Sequence, residues 1–104
     1  MDTFSIKRGD TSPAIRYALL PATLDLAGAT VQFQMRSRFG AMVIDQPAQT
    51  VTDLPPVVQY LWQPADTATA GQYEAEFRVT YADGAIETFP NTEFIPVRIA
   101  EDVR

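Results

Sequence analysis

The sequence has no cysteine and no histidine among its 104 residues. Without cysteine it can form neither disulfides nor thiolate metal sites. Without histidine it lacks the commonest general base and metal ligand of proteins, and Ser-His-Asp or Cys-His catalytic machinery is excluded. Basic residues are also few, eight against 13 acidic ones, and the net charge of −5 disfavours binding to phosphate backbones. We therefore expect neither an enzyme nor a nucleic-acid-binding protein.

Long apolar runs are missing as well. No run approaches the roughly 18 apolar residues of a membrane helix, and residues 1–7 show no basic segment followed by an apolar one. The sequence also has no glycine-rich phosphate loop and no calcium-type spacing of aspartates. We expect no signal peptide, no membrane partner, no catalytic residue, no cofactor and no metal site. With 46% apolar residues, the chain should bury its own core as a single domain over 1–104.

The strongest structural signal is a predicted hairpin. Apolar and polar residues alternate over 72–81, as they do in a strand with one buried face. Asp83 and Gly84 follow, and an Asp-Gly pair is typical of a tight hairpin turn. A two-residue turn at this point would place Tyr81 opposite Ile86.

Short strands separated by turn residues account for the rest of the chain, with no amphipathic helix. This pattern predicts an all-β fold, a single antiparallel immunoglobulin-like β-sandwich of about eight strands, with a jelly roll or small barrel as alternatives. Proline cannot donate to a sheet, so Pro47 and Pro96 should mark edge strands or bulges. The predicted strands are 3–8, 14–20, 30–36, 42–52 with an interruption at Pro47, 57–63, 72–81, 85–90 and 94–100.

Two aromatic residues have predicted structural roles. Trp62, the only tryptophan, should lie in the core. Tyr73 follows a polar crossover over 64–71, where a sandwich often has a tyrosine whose hydroxyl bonds back to the preceding backbone. We expect Tyr73 to form this tyrosine corner.

The candidate protein interface is the predicted turn that contains Arg36, Arg38, Phe39 and Met42. Arginine, methionine and aromatic residues are enriched at protein interfaces, and here they cluster in an otherwise acidic chain. The alternative is that Phe39 folds back over the edge of the core. Exposed edges of the predicted strands 42–52 and 94–100 are a second place where a neighbouring chain could pair.

Several segments, taken in order, resemble a known family: 4–11, 25–31, 33–36, 58–62, 66–67, 70–77, 81–84 and 88–91. Together they are similar to the small immunoglobulin-like sandwich of tailed-phage structural proteins, such as the N-terminal domain of siphophage upper baseplate proteins. The resemblance implies a non-enzymatic virion protein of the tail, baseplate, neck or head surface, synthesised in the host cytoplasm. Its partners would be other virion proteins, in symmetric multiple copies.

One departure from that family affects the implied role. Baseplate proteins continue into helices and a receptor-binding-protein platform, whereas this sequence stops at Arg104. The resemblance therefore implies docking on another virion protein or decoration of a capsid. The alternative function is a module that binds a host-surface receptor or carbohydrate.

Overall fold

The computed structural model describes residues 3–103, which form nine strands and one short 3-10 helix. The strands are β1 (Phe4–Lys7), β2 (Ile15–Ala18), β3 (Thr30–Ser37), β4 (Met42–Pro47), β5 (Gln49–Thr52), β6 (Val57–Tyr60), β7 (Gly71–Thr80), β8 (Ile86–Phe89) and β9 (Ile95–Ala100), and the helix covers Pro64–Thr67. No helix in this described part of the chain is long and apolar enough to cross a membrane.

The strands form two sheets. The six-stranded sheet has the order β1-β9-β7-β3-β4, with β8 also paired to β7, and the three-stranded sheet has the order β2-β6-β5. The fold is therefore an all-β sandwich, as predicted. One pairing departs from the predicted antiparallel arrangement, because β1 runs parallel to β9.

Aromatic rings fill the space between the sheets. The ring of Phe33 on β3 lies 4.5 Å from that of Tyr60, 5.1 Å from that of Phe77 and 5.6 Å from that of Trp62. All four side chains are buried. Because β3 is paired on both sides, by β7 and β4, the outward residues between these core positions are held in fixed rows across the sheet.

The predicted hairpin forms, but its register differs by one residue from the prediction. Thr80, not Tyr81, lies opposite Ile86. The turn has three residues rather than two, because the Tyr81 N–H donates to the Ala85 carbonyl at 2.8 Å and Gly84 adopts a φ of 91°. A shift of one residue moves side chains to the opposite face, and Ile86 is consequently exposed.

The two prolines that interrupt predicted strands have different positions. Pro47 ends β4, after which the chain leaves the six-stranded sheet and enters β5 of the three-stranded sheet. Both β4 and β5 are edge strands, as predicted. The edge position predicted from Pro96 is wrong, because β9 lies between β7 and β1. The ladder between β9 and β1 begins only at Val97, so Pro96 is outside it.

Candidate interaction surface

The turn between β3 and β4 closes on itself through backbone hydrogen bonds. The Ser37 N–H donates to the Ala41 carbonyl at 3.1 Å, and the Gly40 N–H donates to the Ser37 carbonyl at 3.1 Å. Residues 38–40 therefore form the loop. None of their side chains is needed to close it, so these side chains are available for other contacts.

Arg36 is held on the outer face of the six-stranded sheet. It alternates with the buried Met35 on β3 and lies opposite Glu74 on β7. Its Nε and Nη2 atoms both lie 3.0 Å from Glu74 Oε1. Its guanidinium carbon lies 4.9 Å from the centre of the Phe94 ring, within the range of a cation–π contact. These contacts orient Arg36 and hold Phe94 against the sheet.

Arg38 bridges the turn to β7. Its backbone N–H donates to the Gln72 carbonyl at 3.0 Å, and its guanidinium Nη1 donates to Gln72 Oε1. The same guanidinium lies 5.7 Å from the centre of the Phe39 ring. Phe39 itself is 93% exposed, so it does not fold back over the core edge. An almost fully exposed phenylalanine has a large apolar area open to a partner.

Met42 lies opposite Arg36 on the edge strand β4 and is 55% exposed. The β3–β4 register shifts between Met35 and Arg36, so Val43 is an extra residue of a bulge. A bulge bends an edge strand away from a regular ladder, and this disfavours pairing of β4 with a further strand. The exposed surface of this part of the molecule is therefore described best by its side chains rather than by a free backbone edge.

Phe94, which the sequence reasoning missed, completes the surface. It precedes β9, lines a groove together with Arg36 and Met42, and is 41% exposed. The sequence did contain a signal for Phe94. Ile95 and Val97 face the core, so the preceding residue, Phe94, is an apolar residue on the outer side of the strand's path. We call the group Arg36, Arg38, Phe39, Met42 and Phe94 the tip surface.

The predicted structural residues lie elsewhere. Trp62 is buried in the core, and the Tyr73 hydroxyl donates to the Thr69 carbonyl at 2.7 Å, the hydrogen bond of a tyrosine corner. Asp83 and Gly84 form the β7–β8 turn, where the Asp83 carboxylate accepts from the Ala85 N–H at 2.9 Å. These four residues hold the fold and take no part in the tip surface.

The titratable groups with shifted pKa values are engaged in structural contacts. Burial and a hydrogen bond to Asp66 raise the pKa of Tyr60. Burial and the hydrogen bond to Glu87 raise the pKa of Tyr81 to about 12. No group of three or more His, Cys, Asp and Glu residues within 3–103 is arranged to hold a metal ion. The side chains of the tip surface itself carry aromatic rings, a thioether and guanidinium groups.

Comparison with known proteins gives a fold relationship. No protein-family model and no curated protein matches the chain. Among solved structures, the chain is similar to CopC from Methylosinus trichosporium OB3b, with a TM-score of 0.59 and 14% sequence identity over 98% of this chain and 87% of that chain. At this identity the likeness shows the fold alone, since one fold hosts many functions.

The resemblance to tailed-phage proteins is wrong. The matching solved structure reported above, CopC, is not a phage baseplate protein. The segments that carried the resemblance, such as 70–77 and 81–84, contain the alternation and turn residues that any sandwich hairpin requires. The virion role and virion location that it implied are wrong with it, and the match does not favour a host-surface or carbohydrate-binding module either.

Proposed function

We propose that this chain is a non-enzymatic protein-binding domain, and that it binds its partner through the tip surface. The observation that carries the proposal is the state of Phe39. Phe39 lies in a turn that closes through backbone hydrogen bonds, and its side chain is 93% exposed. Its ring centre lies 5.7 Å from the Arg38 guanidinium, and the ring belongs neither to the core nor to the hydrogen bonds of the turn. Interfaces concentrate their binding energy in a few aromatic and arginine residues of this kind.

The surroundings of Phe39 support the proposal. Arg36 is fixed by Glu74 and Phe94, and Arg38 is fixed by Gln72. Side chains that are already ordered lose less conformational entropy when a partner binds, so their contacts yield more affinity. Phe39, Met42 and Phe94 together expose apolar area beside these cations. Aromatic, methionine and arginine side chains are the residue types enriched at protein interfaces.

The test is selection of binders from a library of random short peptides displayed on yeast, panned against the immobilised chain. Phe39→Asp is the variant expected to lose binding while remaining folded. Aspartate occupies the equivalent position of the β7–β8 turn, so it should be tolerated in this one. We expect Phe39→Asp to weaken binding of the selected peptides at least about tenfold.

The control is Ile86→Asp, an identical change of charge at an exposed apolar residue on the other hairpin. This variant should bind the selected peptides like the wild type. If the selected peptides bind Phe39→Asp as tightly as the wild type, or if none can be selected, the tip surface is not the binding site. Circular dichroism of each variant verifies that it is folded.

A further inference from the structure

We propose that the partner segment bound at the tip surface is acidic, and that its carboxylates pair with Arg38 and Arg98 on either side of Gln72. This inference rests on the proposed function and specifies the chemistry of the partner. Its basis is a pair of exposed arginines that the fold brings together and that form no ion pair with a carboxylate of residues 3–103.

The topology places the two arginines in one row across the sheet. Gln72 on β7 lies opposite Arg98 on β9. On its other side, Gln72 accepts both the backbone N–H and the guanidinium of Arg38. Neighbouring strands are about 4.8 Å apart, so the two arginine backbones are about 10 Å from each other. The sequence separates them by 60 positions, and only the order β9-β7-β3 makes them neighbours.

Arg38 and Arg98 differ from Arg8 and Arg36 in forming no ion pair with a carboxylate of the described residues, a property they share with Arg16 and Arg78. Arg8 pairs with Asp102 at 2.8 Å, and Arg36 pairs with Glu74 at 3.0 Å. Within residues 3–103, Arg38 and Arg98 form no ion pair with a carboxylate, although the chain has 13 acidic residues against eight basic ones. An arginine fork matches a carboxylate in geometry and charge. Two such forks side by side therefore fit a ligand with two carboxylates.

A groove of about 480 Å³ connects the arginines with the apolar part of the tip surface. Arg38, Gln72 and Arg98 line it, and Phe94 and Pro96 also belong to its wall. A partner segment in this groove can pair with both guanidinium groups while an apolar side chain packs on the Phe94 ring.

The acidic residues of the groove give the segment an orientation. Glu74 lines the groove but is neutralised by its ion pair with Arg36. Glu93, next to Phe94, is exposed and forms no ion pair with another described residue. Its charge repels carboxylates from that end of the groove. The acidic part of the segment should consequently lie over Gln72 and the apolar part beside Phe94.

The spacing of carboxylates in the partner follows from the distance between the arginines. An extended chain advances about 3.3 Å per residue, so two or three residues span about 7 to 10 Å. The long arginine side chains accommodate the remaining difference. We therefore expect two acidic residues, two or three positions apart, followed or preceded by an apolar residue.

The experiment uses the peptides selected on the wild-type chain. Their sequences should be enriched in Asp and Glu at this spacing, and synthetic copies should bind Arg98→Ala and Arg38→Ala at least about tenfold more weakly. Arg16→Ala is the matched control: Arg16 lies on a strand of the other sheet, where it donates to Gln59 Oε1, and its removal should not change binding. Raising NaCl from about 0.1 M to about 1 M shortens the screening length from about 10 Å to about 3 Å and should also weaken binding.

Each other outcome would overturn the inference. Peptides that need Phe39 but show no acidic enrichment, or that bind Arg98→Ala normally, would leave the proposed function standing and show that the partner is not acidic. Selected peptides that bind Phe39→Asp with the same affinity as the wild type would contradict both proposals. Concentration-dependent dimerisation in analytical ultracentrifugation that is lost in Phe39→Asp would identify a second copy of the chain as the occupant instead.

Discussion

Two hairpin turns of the six-stranded sheet share one pattern of backbone hydrogen bonds and differ in what their side chains do. In 37–41 and in 81–85 alike, the first residue donates its N–H to the carbonyl of the fifth, and the N–H of the fourth, a glycine, donates to the carbonyl of the first. The third residue is Phe39 in one turn and Asp83 in the other. Asp83 bonds the backbone of its own turn, whereas Phe39 makes no hydrogen bond to its turn and is exposed.

This difference distinguishes a turn side chain that stabilises its own turn from one that does not. Aspartate is favoured in turns because its carboxylate can accept from a backbone N–H two residues ahead, as Asp83 does. Phenylalanine provides no such bond, and the ring of Phe39 is exposed and contributes nothing to the core. The β7–β8 turn is therefore built for the fold alone. The β3–β4 turn has the same hydrogen-bonded closure but presents an exposed aromatic side chain whose ring contacts the Arg38 guanidinium.

The largest expected difference is in the free energy of unfolding lost when a phenylalanine of each hairpin is replaced by alanine. Phe89 on β8 is 2% exposed and lies opposite Phe77. Phe89→Ala should cost about 3–5 kcal/mol of the free energy of unfolding, because it leaves a cavity in the core. Phe39→Ala should change it by less than about 0.5 kcal/mol. Urea unfolding, followed by the fluorescence of the buried Trp62, measures both values.

A milder variant covers the case in which Phe89→Ala does not fold. Phe89→Leu should still be destabilised by more than Phe39→Ala, since it also loses buried volume. If Phe39→Ala were destabilised as much as Phe89→Leu, Phe39 would pack against the core in solution, and the contrast between the hairpins would disappear.

A smaller difference in the free energy of unfolding is expected when the glycine of each turn is replaced by alanine. Gly84 has a φ of 91°, in the region that L-residues avoid, so Gly84→Ala should lower the free energy of unfolding by about 1–2 kcal/mol. Gly40 is not in that region, and a Cβ added there would lie 3.5 Å from Ser37 Oγ, an ordinary contact. Gly40→Ala should therefore be neutral or stabilising by up to about 1 kcal/mol. Equal losses in thermal unfolding would contradict the assignment of different backbone conformations.

The smallest expected change in the free energy of unfolding comes from replacing the first residue of each turn. The Tyr81 hydroxyl donates to Glu87 Oε1 at 2.7 Å, and its pKa is raised to about 12 from an ordinary value of 10.0. Because the folded-state pKa is above the unfolded value, this contribution is fully present below pH 10 and is lost as the pH rises through about 12. Tyr81→Phe should cost about 0.5 kcal/mol at neutral pH, since solvent screens the pair.

The measurement is chemical unfolding of the wild type and Tyr81→Phe at several pH values. The difference between the two proteins should be constant up to about pH 10 and should narrow above it. Ser37→Ala, at the matching place of the other turn, should show no such pH dependence. A difference that persists unchanged beyond about pH 12 would show that the hydrogen bond to Glu87 is not its source.

Much of the fold could be predicted from the sequence because strand periodicity is local. The alternation of apolar and polar residues along 72–81 and 30–36 identified β7 and β3. Because every second residue there is apolar, it also identified which face of each strand lies against the core. The hairpin register could not be read in the same way. An Asp-Gly pair is compatible with turns of two or three residues, and only the pairing of Phe89 with the buried Phe77 selects the longer one.

The candidate surface was predicted in part. Arg36, Arg38, Phe39 and Met42 are close in sequence, so a turn was enough to group them. Phe94 was missed because its neighbour in space, Arg36, is 58 positions away in the sequence. Composition cannot show such a contact. The edge position predicted from Pro96 failed for a related reason, since the place of a strand in a sheet depends on strands distant in sequence.

The sequence by itself determined which residues face inward, where the chain turns, and which kinds of chemistry are missing, because alternation, turn preferences and composition act over a few residues. Only the tertiary structure decided the strand order, and with it the parallel pairing of β1 with β9 and the insertion of β9 beside β7. That order places Arg98 next to Gln72 and Arg38, and Phe94 against Arg36. The physical reason is that side-by-side pairing of strands joins segments whose separation along the chain carries no local signal.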